Sequence, residues 1–596
     1  MEKYELGRLK QFIKIEAHGN VQSGKYGAYY YCKRVDGVTQ LFSSNYKNHW
    51  PHQLSFFDEG VEGYSVSPDG RVIGVFVNNK GSEHNPIALI DTITGSFQYV
   101  FQEKDAQAGG IVWSSCSSKF LFRSNHENGQ DFKIYEYHII DKTLELKIDV
   151  CGWAFPMEYS PSGQSILYGV ATSNANQNIY LYDQDTKETT HLTAHEGNVS
   201  YEFSFAGTDH EFYILSNENN DFKKLRHYNH ETLESRNLGV DINWEISGLS
   251  VSHCGRYLMY SANEEGYSNL YLLDGWLNND LPSPQIKGIL SSYGFDEDLN
   301  ILYTYQFPKR SAEIYKWSFR DIRGEALTWS SYAGVNPHEF IQPELIEYES
   351  FDGLKVPAFL YLPKGYKRGT QIPIICHFHG GPEGQFRPMF FKHFQYLLEL
   401  GIGICAPNVR GSSGYGSHYM ALDDYKLRMN SVKDGIALGE YLIDQGYTSN
   451  AQLGVMGGSY GGFMVLALIT EAPDLFAAAV DVVGISNLVT FLQNTKPYRR
   501  KLREAEYGPL SDEEFLISIS PIHKMDRVKT PLLVVHGATD PRVPLDEAQQ
   551  VVDALEARNQ VVEYLFFEDE GHGVRKLKNQ IEYYDKTFKF FTKYLK

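Results

Sequence analysis

A β-propeller of seven blades followed by an α/β domain is the fold the sequence predicts, and three observations predict it. A polar turn leading into a β-rich run recurs about every 46 residues over the first half of the chain, the mark of a blade repeated around a ring. From about Glu344 the pattern changes to continuous apolar strands alternating with amphipathic helices, which means a mostly parallel sheet covered on both faces. Inside that second part an apolar run, AQLGVM, leads into GGSYGG and then into the apolar helical stretch FMVLALIT.

Taken in order, residues 1–20 read as an N-terminal extension. MEKYELGRLKQFIKIEAHGN has neither the continuous apolar core nor the small-residue cleavage site of a signal peptide. No apolar run in the chain approaches the length of a membrane span. Residues 21–335 hold the repeats, with starts near Ser23, Ser67, Ser115, Ser160, Phe205, Ser252 and Asp296. Several units continue to a second strand that ends in a polar turn, as in NIYLYDQDT and NLYLLDG. An irregular pair of β-sandwiches is the alternative, and the even spacing favours the ring. Residues 336–596 form the α/β domain, with strands expected at 354–363, 372–379, 402–409, 451–457, 477–484, 530–537 and 561–569. Helical patterns occupy 430–447 and 545–559, and KNQIEYYDKTFKFFTKYL closes the chain.

The net charge of −19 argues against nucleic acid or an anionic membrane as partner. An aromatic content of 14% fits a β-rich first half. The six cysteines are scattered without metal-ligand spacing, so they read as reduced, mostly buried thiols of a cytoplasmic protein. No metal or organic cofactor has a motif here.

The chemistry centres on Ser459. Gly457-Gly458-Ser459-Tyr460-Gly461 is a strand–turn–helix nucleophile elbow, in which the glycines two before and two after the serine leave room that a Cβ would fill. A serine hydroxyl needs a base oriented by a carboxylate. Asp540 follows the strand TPLLVVHG, and His572, between Gly571 and Gly573, follows VVEYLFFED; both therefore sit past strand ends on the edge that carries Ser459. Together they make a Ser459–Asp540–His572 triad, with His377, His379 and His536 as weaker rivals for the base. His379-Gly380-Gly381-Pro382 follows another strand end and reads as an oxyanion loop, the two donors being the amides of Gly381 and Tyr460. The loop 408–416 walls the site, and its Arg410 reads as structural.

GGSYGG, HGGP, NVRGSSGYGSHY, HGATDPRVP and DEGHG together resemble the prolyl oligopeptidase family of serine peptidases. HGGP and DVVGISNLVTFLQNTKPYRRKLREAEYG resemble its acylaminoacyl-peptidase branch. The likeness is strong over residues 340–596 and rests on architecture and SPDG-like turns over the repeats. It implies an α/β-hydrolase domain capped by a seven-bladed propeller, with the active site between them and access limited to short peptides. It also implies that Arg542 holds a substrate carbonyl or carboxylate. Val482, Val483, Phe491 and Leu492 become candidates for the side-chain pocket, core packing accounting for the two valines nearly as well. DYKLRMNSV, residues 424–432, lacks the Trp-Gly pair of many relatives. Glu264 and Glu265 resemble the paired acids that hold a free amino terminus in dipeptidyl peptidases, but they fall in a blade turn. The expected activity is hydrolysis of short peptides with release of N-acylated amino acids. A carboxylesterase of the same fold and a propeller binding module with an inert hydrolase domain are the alternatives, and a homo-oligomer is possible on family grounds.

Overall fold

The computed structural model describes residues 5–595, so residues 1–4 of the N-terminal stretch and Lys596 lie outside it. Seven four-stranded antiparallel sheets span residues 18–53, 61–101, 108–148, 153–191, 201–237, 245–281 and 289–326. Within each sheet the strands follow chain order, so every blade is a simple meander. The recurring serine has a definite task. The hydroxyls of Ser67, Ser160 and Ser252 each accept the amide five residues on, from Val72, Ser165 and Tyr257, at 3.0 Å. They tie the turn between a blade's first and second strands, so each blade begins one strand before the start that the repeat marks. Fourth strands such as Thr189–His191 and Ser235–Asn237 are short, polar and exposed, which blunts the outer edges. Neighbouring blades bury apolar faces against one another, as Ile87 and Leu89 do with Phe120 and Phe122.

The second domain is built on an eight-stranded sheet. Its strands are β1 (Glu344–Glu349), β2 (Lys355–Tyr361), β3 (Ile374–Phe378), β4 (Gly403–Pro407), β5 (Leu453–Gly458), β6 (Ala478–Val482), β7 (Leu532–Gly537) and β8 (Val562–Phe567). The order is β1-β2-β4-β3-β5-β6-β7-β8, antiparallel at β1–β2 and β2–β4 and parallel elsewhere. The strand absent from the sequence expectation is β1: in ELIEYE, Leu345, Glu347 and Glu349 are exposed while Ile346 and Tyr348 turn inward, as on an edge strand with one wet face.

Helix α1 (Leu6–Ile13) buries Leu9, Phe12 and Ile13 in one apolar cluster with Tyr396 and Leu397 of α2 (Lys392–Glu399). Phe588 of the last helix, Leu577–Tyr594, joins the same cluster. Arg8 grips both oxygens of Glu399 at 2.7 Å. The stretch expected to be an extension is therefore partly a piece of the second domain, and its His18–Asn20 begin the first blade. The cysteines divide evenly, which corrects the expectation of mostly buried thiols. Cys32, Cys376 and Cys405 are buried in strands, whereas Cys116, Cys151 and Cys254 stand exposed, Cys116 and Cys254 in the polar turns of the repeat. All six are free. No helix among the described residues is long and apolar enough to cross a membrane.

Candidate active site

Ser459 connects β5 to α3 (Tyr460–Glu471) with φ 60° and ψ −120°, a conformation that L side chains rarely adopt. The surroundings hold it there. Its amide donates to the Val482 carbonyl at 2.9 Å, and its carbonyl accepts from Gly462 and Phe463 at 2.9 and 3.1 Å. A Cβ on Gly457 would collide with the backbone of Gly461, and one on Gly461 would lie 2.8 Å from the His379 carbonyl. The two glycines are thus required by close backbone approach. Every residue of α3 from Tyr460 to Thr470 is buried, so the helix behind the serine is fixed on all sides.

Asp540 and His572 meet across two strand ends. His572 Nδ1 donates to Asp540 Oδ2 at 2.7 Å. Asp540 Oδ1 accepts the amides of Arg542 and Val543 at 2.8 and 3.0 Å. Burial alone would push the Asp540 carboxyl up, but the bond and charge of His572 outweigh it and hold the group below its ordinary value. The carboxylate is therefore ionised and fixes the proton on Nδ1, which turns Nε2 free as an acceptor. Gly571 does more than free the loop: a Cβ there would run into Gly81 of the second blade, so the propeller presses on the His572 loop. Thr539 Oγ1 reinforces the seam by donating to the Lys80 carbonyl at 2.6 Å.

Ser459 and His572 line one cavity of about 430 Å³ together with Gly380, Gly381 and Arg542. Among the described residues no hydrogen bond joins the Ser459 hydroxyl to the ring, a contact that in such sites tightens when substrate docks. Tyr460 is the first residue of α3, so its amide has no acceptor within the helix. The Tyr460 side chain anchors that end, donating to Asp423 Oδ2 at 3.0 Å beside the wholly buried Arg428. A serine on a strained turn, an imidazole held by a buried carboxylate and free amides beside them can carry out acyl transfer.

The remaining candidates divide. Phe491 and Arg542 line the cavity; Val482, Val483 and Leu492 do not. Val482 spends its carbonyl on Ser459, while Val483 and Leu492 are packed into the core beneath. His536 is buried and bonds the Val543 carbonyl at 3.1 Å, and His379 bonds Ser412 at 2.9 Å, so both brace loops. Half-buried His377 packs on Phe386 and Phe394. Arg410 is clasped by Asp434 and Asp352 at 2.7 and 2.8 Å, a structural part as expected. Glu264 and Glu265 stay in the hairpin between the second and third strands of the sixth blade, where Glu264 accepts the Tyr271 hydroxyl at 3.1 Å.

The sequence reading missed Arg499, Arg503 and Tyr507, which line the cavity from α4 (Pro497–Tyr507). Their four-residue spacing puts them on one face of that helix and was the available signal. Arg503 donates to Glu506 at 2.8 Å, and Asn174, from a blade hairpin, donates to the other Glu506 oxygen at 2.6 Å. Burial pushes Glu506 up to about 8 against the pull of Arg503.

Comparison with known proteins follows both domains. Residues 388–596 match the prolyl oligopeptidase family, and residues 47–240 match the prolyl oligopeptidase N-terminal beta-propeller domain. A Caenorhabditis elegans relative, dipeptidyl peptidase family member 6, is 25% identical over 89% of this chain and 84% of its own length. An Arabidopsis thaliana acylamino-acid-releasing enzyme is 30% identical over 41% of this chain and 34% of its own. Among solved structures, a Pyrococcus horikoshii acylaminoacyl peptidase superposes with TM-score 0.76 at 21% identity, covering 99% of this chain and 97% of that one. One from an analysis of two prolyl endopeptidases reaches 0.86 at 20%, covering 99% and 91%. Those two likenesses concern the fold. With a seven-bladed propeller, an α/β-hydrolase sheet and both family models matched in their proper order, the chain belongs to the prolyl oligopeptidase family of serine peptidases.

Proposed function

We propose that the protein hydrolyses short peptides with blocked amino termini and releases the N-acylated residue. Ser459 attacks the scissile carbonyl while His572 takes its proton, and Asp540 holds the imidazolium that forms. The amides of Gly381 and Tyr460 receive the oxyanion, and Arg542 steadies a substrate carbonyl. His572 then passes the proton to the departing amine, and water releases the acyl group by the same route in reverse. One observation carries this reading: the strained Ser459 and the Asp540-bound His572 open onto a single cavity.

Preference for an acylated end is supported by charge. Arg499, Arg503 and Arg542 all line the cavity against one lining carboxylate, Glu383, and Glu83 beside it is already engaged by Arg499 and Arg542. A protonated amine entering there meets three guanidiniums to one carboxylate, a like-charge excess that a neutral acyl group avoids. The test pairs wild type with Ser459→Ala on an N-acetylated amino-acid anilide, the same anilide with a free amine, and a short-chain nitrophenyl ester. Preference for the acetylated anilide, lost in Ser459→Ala, is expected. Ester turnover without amide turnover would make the protein a carboxylesterase, and failure of an organophosphonate to label Ser459 would leave a binding module.

A further inference from the structure

Beside the Ser459 cavity lies a second one of about 350 Å³, and the two share Arg499 and Arg542 as walls. On its propeller side stands Arg123, from the second strand of the third blade, Lys119–Ser124. The guanidinium lies against the Gly109 backbone, where a Cβ would come within 3.1 Å of Nη2. It also lies 5.8 Å from the ring centres of both Phe132 and Trp153. Tyr498 of α4 closes on the same two rings at 5.7 and 5.9 Å, its hydroxyl held by Gln107 Nε2 at 2.7 Å. This wall is assembled from both domains.

Arg123 has cationic company and no anion of its own. Among the described residues no hydrogen-bond acceptor or carboxylate reaches its side chain, and its Nε is buried without a partner. Burial lowers the guanidinium's pKa with nothing opposing it. The cavity sets four arginines, Arg123, Arg499, Arg542 and Arg575, against two glutamates, in a chain whose net charge is −19. Arg575 already engages Glu62, and Arg499 and Arg542 share Glu83. A half-buried guanidinium without an acceptor is costly, and a planar fork flanked by rings is shaped for a carboxylate.

We propose that Arg123 determines specificity by receiving a carboxylate of the bound peptide, at a subsite beyond the residues that flank the scissile bond. The inference rests on the peptide-hydrolase reading above and deepens it. The carboxylate is either the peptide's C-terminus or an aspartate or glutamate side chain.

Binding to the full chain carrying Ser459→Ala, measured by titration calorimetry, separates these. One pair of N-acetylated tetrapeptides differs only in a free or amidated C-terminus; a second, amidated pair differs by glutamate against glutamine. In at least one pair the acid is expected to bind about tenfold to a hundredfold more tightly, as charge-assisted hydrogen bonds do, and that pair names the source. Adding Arg123→Gln brings the ratio to about one, and Arg123→Lys restores part of it. A merely structural defect would weaken acid and neutral peptides alike and leave their ratio intact. Equal binding within both pairs, or a preference that survives Arg123→Gln, overturns the proposal. Running each peptide with a free amine as well judges the N-acyl reading by itself: equal affinity with and without the acetyl group would count against that reading while the acid ratio still decides Arg123.

Discussion

Ser459 shows how a single residue can be held against its own preference. At φ 60° and ψ −120° a side chain costs on the order of 1–3 kcal/mol, and glycine costs nothing there. Ser459→Gly should therefore unfold at a temperature at or above that of Ser459→Ala, despite the ~1 kcal/mol that glycine's freedom costs in the unfolded chain. A clearly lower melting temperature for the glycine variant would mean the elbow is not strained. Asp540→Asn keeps the shape but removes the charge that fixes the Nδ1 proton of His572, so kcat should fall about 10³–10⁴-fold with little change in KM. A loss below tenfold in steady-state assays would remove Asp540 from the proposed machinery. Ser459, Asp540 and His572 were legible because each follows a strand end in a fixed order, which sequence alone records. Arg123 and Asn174 were not, because their place beside the site is set by how blades meet the second domain, and nothing near them in the chain encodes that.

At the scale of elements, two buried acids brace the sheet around the elbow in opposite ways. Asp434 is fully buried against Arg410, which also holds Asp352 across the loop 408–416. Arg410→Met should strand that carboxylate and cost about 3–5 kcal/mol, read as a lower denaturant midpoint. Asp481 on β6 has no such partner. Its Oδ1 is buried without a hydrogen bond, and burial raises the group from 3.8 to about 7. A carboxyl raised in the folded state binds its proton more tightly there, so its contribution is complete below about pH 4 and is lost as pH rises through about 7. Asp481→Asn should accordingly melt higher than wild type at pH 8.5, with the gap closing toward pH 5; a gap that does not change with pH would refute this. The strand that sequence missed, β1, belongs to this scale too: one wet face made its pattern read as surface, whereas the doubly covered β3 to β7 announced themselves as apolar runs.

In the whole molecule, the propeller is seated on the working edge of the hydrolase sheet, with Gly81 against Gly571 and Lys80 bonded to Thr539. Gly571→Val should drive the second blade off the His572 loop, lowering activity while each domain stays folded by circular dichroism. Blade number was legible from the period of the turns, but phase was not, because the serine that repeats marks the first hairpin and not the blade's edge. Helix α1 was illegible as part of the second domain for a related reason: its apolar stripe says that it packs, and only the fold says on what. Its attachment has a consequence for how the chain comes into being. Arg8 leaves the ribosome 391 residues ahead of the Glu399 it grips. Through the synthesis of all seven blades, Leu9, Phe12 and Ile13 have no cover, and the helix Leu577–Tyr594 that shares their cluster emerges later still. The catalytic domain thus cannot close until residues 577–594 have been made, so a protein interrupted between the propeller and that helix carries an open apolar groove and no working enzyme.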